Sequence, residues 1–492
     1  MKIRYILSMI AIVAISKNSY AQYSQDAIRF SQTLNGSTAR IKAIGGAGTA
    51  IGGDLSSVSG NPAGLGFFTK SEISLTPEYD MQKTKATYLG STMADKKNTG
   101  NLNNVAAVFY SRLNNSNADK TKGWLSVNFG LGYARTNDFY ENVSYGANNN
   151  ASSISDYYAN RANNSADDLL GDWAYRQKLI DLYSVGANSS EYRSNVIAGG
   201  NNNVMQNGTI TRTGSQSEFN LALGANYSNK LYIGGAIGIA SIRYNSTTSF
   251  IENGDVSLLE NGNDVNHNFT SVFTQDQYTK GTGVNLKLGM IYKPVEAVRL
   301  GFNFTSPTWY NMQDSYAERL DTRIIGSNTF QDGENYPLEY DFRTPLKVAG
   351  GLAVFIKQFG FISGDVEYVD YSSAKLMSND SYNSTDDNNN IKSLYKGTVN
   401  AHVGAEARLS SFAYLRGGYG VQGNPNRGDF GSSIKTASGG IGFRSGPYSV
   451  DATYAHITGS QTIYPYEIGD ASPASFLKKT NDNLYLTLSY RF

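Results

Sequence analysis

The chain has 492 residues, 42 basic against 41 acidic side chains, 51 Gly, 35 Tyr, 22 Phe and no Cys. The near-neutral balance offers nucleic acid no basic footprint, and 12% aromatic residues is too many for a disordered chain. Zero Cys excludes disulfides, thiolate metal sites and Cys nucleophiles, and the three His (His267, His402, His456) lie too far apart in sequence to suggest a metal centre.

Residues 1–21 read as an export signal. Lys2 and Arg4 precede an apolar run from Tyr5 to Ile15, and Ser19-Tyr20-Ala21 suits cleavage before Gln22. The run is shorter than the about 20 residues a membrane helix needs. Residues 22–70 follow without alternation: a short helix-like stretch at Asp26–Ser31, the Gly36-Ser37-Thr38-Ala39-Arg40 run, Gly45 to Asp54, and Asn61-Pro62-Ala63-Gly64-Leu65-Gly66. A dinucleotide loop beginning at Gly46 would need Gly at 51, where Ile51 stands, and no strand precedes it, so that reading fails. Small residues at this density suit a segment packed tightly against other backbone.

From residue 71 onward the period is two. Leu231, Ile233, Ile237 and Ile239 oppose Tyr232, Gly234, Ala236, Gly238 and Ala240, and similar alternations recur through Tyr292, Phe304 and Ile356. A soluble β-sandwich would alternate likewise, but the Gly-rich second face, the aromatics near strand ends and the alternation of short with long connections favour a membrane barrel. Strands are expected near 72–90, 101–113, 124–140, 216–228, 231–250, 268–292, 298–313, 338–356, 359–376, 392–409, 412–423, 432–445, 448–463 and 479–492. Tight joins fall at Ser228–Lys230, Lys293–Ala297, Lys357-Gln358, Ser410-Ser411 and Gly446-Pro447, whereas 141–215, 251–267, 314–337, 377–391 and 464–478 read as long external loops. The join at 114–123 is periplasmic by parity yet not tight. The expectation is therefore an all-β fold: a transmembrane antiparallel β-barrel of about 14 strands over 71–492. A helical insert is expected at about 153–185, capped by Ser165, and the 22–70 segment is expected to plug the lumen. The last strand carries Leu484, Leu486, Leu488, Tyr490 and Phe492 on one face. Its terminal Phe492 resembles the insertion signal that the outer-membrane barrel assembly machinery reads.

The Gly36–Arg40 run, Gly52-Gly53-Asp54-Leu55-Ser56-Ser57 and Asn61-Pro62-Ala63 followed by Gly64-Leu65 resemble the N-terminal hatch of the FadL/TodX family of outer-membrane hydrophobic-compound transporters. Leu415-Arg416-Gly417-Gly418-Tyr419 and Phe492 also look familial, while the remaining chain agrees in architecture alone. The resemblance implies a fourteen-stranded barrel in the outer membrane of a Gram-negative bacterium. It implies a hatch that gates passive entry of small hydrophobic molecules such as long-chain fatty acids, with Gly52, Gly53, Asp54, Asn61, Pro62 and Ala63 as hatch residues. It also implies a kinked strand through which cargo leaves sideways into the bilayer, for which Gly130 and Gly132 are candidates.

Two further groups stand out. Leu169, Leu170, Trp173, Leu179 and Ile180 would form an apolar helix face in the 141–215 connection, either capturing a greasy ligand or packing on neighbouring loops. Lys287, Arg299, Lys347, Glu406, Arg408, Arg416 and Arg491 fall opposite the apolar faces, so all should point into the lumen, because an Arg or Lys at mid-membrane costs about 2–4 kcal/mol. They would bind a carboxylate, or form ion pairs that hold the hatch, with Asp54 among them. The 379–390 run NDSYNSTDDNNN lacks EF-hand spacing and reads as a solvated loop. The expected partners are membrane lipid and a hydrophobic ligand, with no cofactor, no metal and no enzymatic activity. The rivals are a receptor for haem-like or other extracellular ligands and a general polar porin.

Overall fold

The computed structural model describes residues 21–492 apart from 35, 115–118, 120, 166–167, 187–188, 200–201, 328, 380–381 and 429, so the export-signal expectation lies outside the described residues. Fourteen strands close one antiparallel barrel: β1 (Glu72–Tyr88), β2 (Ser91–Phe109), β3 (Trp124–Asp138), β4 (Val204–Tyr227), β5 (Leu231–Glu260), β6 (Asn263–Val295), β7 (Val298–Thr305), β8 (Lys347–Ile356), β9 (Gly360–Asp370), β10 (Gly397–Arg408), β11 (Ala413–Gln422), β12 (Ile434–Ser445), β13 (Tyr448–Ile463) and β14 (Ser475–Arg491). Each pairs with its neighbour, and β14 closes on β1 from Ser475↔Tyr88 to Arg491↔Glu72.

Alternation now has its physical cause. On β14, Leu486 is 41% exposed and Leu488 46%, while Thr487 between them is 1% exposed. The same holds on β5 and β6, where Ile233, Ile237, Ile239, Leu286 and Leu288 all face outward. A continuous outward apolar band of this kind is at home against lipid, where the closed ladder leaves no backbone group unpaired. One end of the barrel carries the short turns, such as Ser228-Asn229 with both φ at 55 and Gly446-Pro447, together with Phe492, whose N–H donates to Ser71 O at 2.9 Å. The described part of the 110–123 connection also lies at this end.

At the other end the strands run far past the lipid. β5 and β6 have 30 and 33 residues, about three times the roughly 10 that a spanning strand needs. Much of what composition marks as loop is therefore paired strand. The 251–267 segment is a hairpin tip turned by Asn261-Gly262 at φ 50 and 81, both positive as a type I′ turn requires. The 314–337 segment likewise pairs within the hairpin Trp309–Ile324 and Thr329–Arg343. Leu89-Gly90 makes a third tight tip between β1 and β2. The segment expected as a solvated loop at 379–390 runs into a helix, Thr385–Leu394, whose Asp387 and Ile391 are buried.

The helical insert consists of α3 (Ile154–Asn164) and α4 (Leu169–Arg176), numbered after two hatch helices described below. Its cap is Asp168 rather than Ser165, which instead closes α3. Leu170, Trp173, Leu179 and Ile180 are at most 4% exposed, packed in one core with Val143, Tyr145, Phe250, Phe269, Phe273 and Leu320 of the strand extensions. Leu169 alone points to solvent. Of the two alternatives, packing is the one seen: the helix face is covered by the barrel's own strands, because extended β5 and β6 supply an apolar wall.

A buried carboxylate anchors this insert, well beyond the apolar band. Glu252 accepts hydrogen bonds from the Ile154 N–H at 3.2 Å, the Ser153 hydroxyl and Gln206 Nε2 at 2.7 Å, at the capped N-terminus of α3. Burial pushes its carboxyl up to about 7 against these lowering bonds. The folded state thus holds a proton that the unfolded chain releases at lower pH, so stability from this contact is full below the ordinary carboxylate range and declines as pH rises toward about 7. Hydrogen-exchange protection of residues 154–164, corrected for intrinsic rates, should fall between pH 5 and pH 8. Glu252→Gln should flatten most of that decline, the remainder coming from the smaller same-signed shift at Asp156.

Candidate functional site: the stoppered lumen and its side slit

The 21–70 segment fills the barrel bore. α1 (Ala21–Ser31) lies toward the extended end, where Phe30 meets Phe139 and Tyr244 edge-on and Arg29 pairs with Asp26 and covers the Tyr244 ring at 4.6 Å. α2 (Ala39–Ala43) starts at the Thr38 cap. Asp54 caps the turn Leu55–Val58 by accepting the Ser56 N–H at 3.0 Å, and it takes the Thr38 hydroxyl at 2.8 Å. Gly52 and Gly53 precede it at φ 64 and 67, and a Cβ on Gly52 would lie 2.4 Å from the Phe67 ring. Asn61 caps Pro62–Phe67 through the Ala63 N–H at 3.1 Å, while its amide donates to Thr49 O at 2.7 Å and Phe302 O of β7 at 3.2 Å. Pro62 stands at the first helical position, where its missing N–H costs nothing. Asn-Pro-Ala therefore closes a turn and ties it to the wall.

The Gly-rich inner face receives this backbone directly. A Cβ on Gly234 would sit 2.4 Å from the Pro62 carbonyl carbon, on Gly418 2.1 Å from that of Ile44, and on Gly301 2.4 Å from Thr49 O. Only glycine lets strand and hatch approach so closely.

Inward charges grip the same segment. Lys287 donates to Ser59 O at 2.7 Å and pairs with Glu218; Arg299 bonds Ile51 O between the Phe67 and Phe355 rings, at 4.4 and 4.0 Å; Lys347 bonds the Thr33 hydroxyl. Glu406 accepts Arg40 Nε of the hatch at 2.8 Å and Arg416 Nε at 2.6 Å, and Arg416 continues to Asp451 at 2.6 Å. Arg491 pairs with Glu72 at 2.7 Å near the turn end. Arg408 departs from the lumenal expectation: it is exposed, and its Nε bonds Ser410 O at 3.0 Å in the β10–β11 turn, because the strand ends there and the side chain leaves the bore. The three His occupy separate places: His402 against Gly46, His267 with Glu260 at the far tip, and His456 with Asp482. Among the described residues no group of metal-ligating side chains comes together.

Between α1, the hatch and the wall lies a polar cavity of about 60 Å³, lined by Lys347, Glu367, Asn285, Thr33, Ala134 and Thr136 among others. Its last two residues belong to β3, and there the wall is incomplete. β2 pairs with β1 from Ser91 to Val108 but with β3 only from Asn104 to Phe109. Beyond Ala134, β3 shifts register against β4, skipping Thr136, and its continuation Glu141–Asn149 follows β4 instead of β2. Two unpaired edges therefore face each other across a slit, bridged by side chains: Asn101 to Asp138, which also pairs with Arg135 of its own strand at 3.2 Å, and Asp95 to the Ser144 N–H at 2.6 Å. The slit starts at the edge of the apolar band, since Tyr133 pairs with Phe219, the last exposed aromatic of β4. Next to it, an outward groove of about 540 Å³ lined by Leu75, Val105, Leu131 and Tyr133 has Ala106 and Gly132 at its floor. Gly130 and Gly132 do not form the kink; they seat the hatch, each with Val58 within 3.1 Å of where a Cβ would be. The register shift of β3 lies at 135–137. No motif announces a one-residue register shift, and alternation continues on either side of it.

Gly234→Val should displace the hatch and give steady ion conductance in planar bilayers with a normally folded barrel, whereas outward Gly235→Val, whose Cβ meets nothing closer than 3.7 Å, should stay closed. Arg416→Gln strands Asp451, while Glu406 keeps Arg40, and should cost about 3–5 kcal/mol in urea unfolding. Exposed Arg408→Gln should cost under about 1 kcal/mol.

No family model matches the sequence, and no curated protein matches it. Solved structures match the fold over nearly their whole length. A Pseudomonas aeruginosa FadL homologue is 13% identical, with 93% of this chain and 98% of that one covered at TM-score 0.53. The P. putida toluene transporter TodX is 12% identical, with 93% and 99% covered at 0.51, and the CymD monoaromatic hydrocarbon channel 11%, with 93% and 98% covered at 0.50. At such identities the likeness shows the fold alone, and the chain shares the barrel fold of these FadL-type structures.

Proposed function

We propose that the chain is an outer-membrane channel of a Gram-negative bacterium for passive uptake of small hydrophobic molecules, with the hatch as its gate and the β2–β3 slit as its sideways exit into the bilayer. The observation that carries this reading is the slit itself: a break in the hydrogen-bonded wall that joins the lumenal cavity to the edge of the lipid band. A polar solute has no reason to leave a barrel sideways into lipid, whereas an apolar one gains by it. In this reading the turn end is periplasmic and the extended end external, and the barrel assembly machinery recognises the strand ending in Phe492. The cargo class runs from fatty acids to the monoaromatic compounds named for the similar barrels. The inward cations hold the hatch and are not free for a carboxylate, which favours uncharged cargo.

Flux into proteoliposomes decides the matter. Labelled monoaromatic and fatty-acid probes should enter while a labelled sugar stays out. The chain has no Cys, so bridging Asn101→Cys to Asp138→Cys with a short bis-maleimide should abolish apolar flux without unfolding the barrel. Sugar flux without apolar flux would instead identify a polar porin, and tight ligand retention without flux a receptor.

A further inference from the structure

We infer that Leu34 of the hatch is the stopper of the β2–β3 slit, and that cargo passes by taking the place of its side chain. This rests on the sideways-exit reading above. Leu34 is the one large apolar residue exposed in the described hatch, at 39%, while its fellows are buried or, like Tyr23 and Phe67, half-buried. Its neighbour Thr33 lines the lumenal cavity and Leu34 does not. The segment itself is strapped to both lips. From β3, Thr136 O accepts the Leu34 N–H at 2.8 Å, and the Asn137 amide donates to Gln32 O at 3.0 Å. From β2, the Asn103 amide donates to Ser37 O at 2.5 Å. Gly36 lies against the Arg135 backbone so closely that a Cβ would fall 2.5 Å from its carbonyl oxygen.

Gln32, Leu34 and Ser37 thus supply part of the bonding that β2 withholds from β3, and Leu34 does so at Thr136, the residue β4 skips. The segment that bonds there carries one exposed large apolar side chain, and that side chain is leucine. Replacing it with an apolar molecule of similar girth exchanges one apolar contact for another, so the swap costs little, whereas a hydrated solute would lose water without compensation. Leu34 therefore selects for apolarity and cross-section at the exit.

Two measurements test this. Bimane placed by Leu34→Cys in liposomes carrying acyl chains brominated near the head group should be strongly quenched, and bimane placed by Thr33→Cys should not. Equal quenching at the two positions would overturn the assignment, and this readout requires no transport. In flux assays Leu34→Ala should raise apolar uptake by roughly tenfold, since most of one leucine's apolar seal is removed, and Leu34→Trp should lower it. If the wild-type chain carries apolar probes and Leu34→Ala leaves their rate unchanged, the stopper is refuted and the channel stands. If no variant carries them, the channel reading fails and the quenching alone locates Leu34.

Discussion

The barrel wall is one strand thick between lipid and a packed polypeptide, and this governs almost every residue in it. The outward positions must be apolar because hydrocarbon cannot solvate charge or a free backbone group. The inward positions must be small or must bond something, because the bore is occupied by the hatch. Glycine at 234, 301 and 418 and the tethers from Lys287, Arg299, Lys347 and Glu406 are two solutions to that one requirement. Charges inside such a wall are retained as clamps on Ser59, Ile51, Thr33 and Arg40.

The same thickness explains why a small defect has a large effect. A strand that skips one residue on one side and loses its partner on the other opens the wall over its remaining length. Here that happens at Thr136, and Gln32, Leu34 and Ser37 of the hatch bond to the strands on either side. The hatch and the slit are therefore neighbours in space.

Much of the far half of the molecule serves a different end. β5, β6 and the hairpin that follows rise well past the lipid and cover α3 and α4, giving an apolar core outside the membrane band. Its helix face looked like a ligand groove in sequence because an amphipathic helix carries no mark of what covers it. Asn261-Gly262 did carry a legible hairpin signal, but the polar residues flanking it resemble loop. The helix in the Asn-rich 385–394 segment was illegible for another reason: it packs on α1, a contact nearly 360 residues away in sequence.

Alternation by itself determined the all-β wall, its fourteen strands and the side each residue faces, because the period-two pattern is imposed residue by residue by lipid and needs no knowledge of partners. The density of small residues before it likewise determined a segment meant to lie against backbone. Only the tertiary structure decided that the inward cations hold the hatch, that Arg408 leaves the bore, and that the wall parts between β2 and β3. Those depend on which edge meets which, and a register shift at one residue changes every later pairing while leaving the local pattern intact.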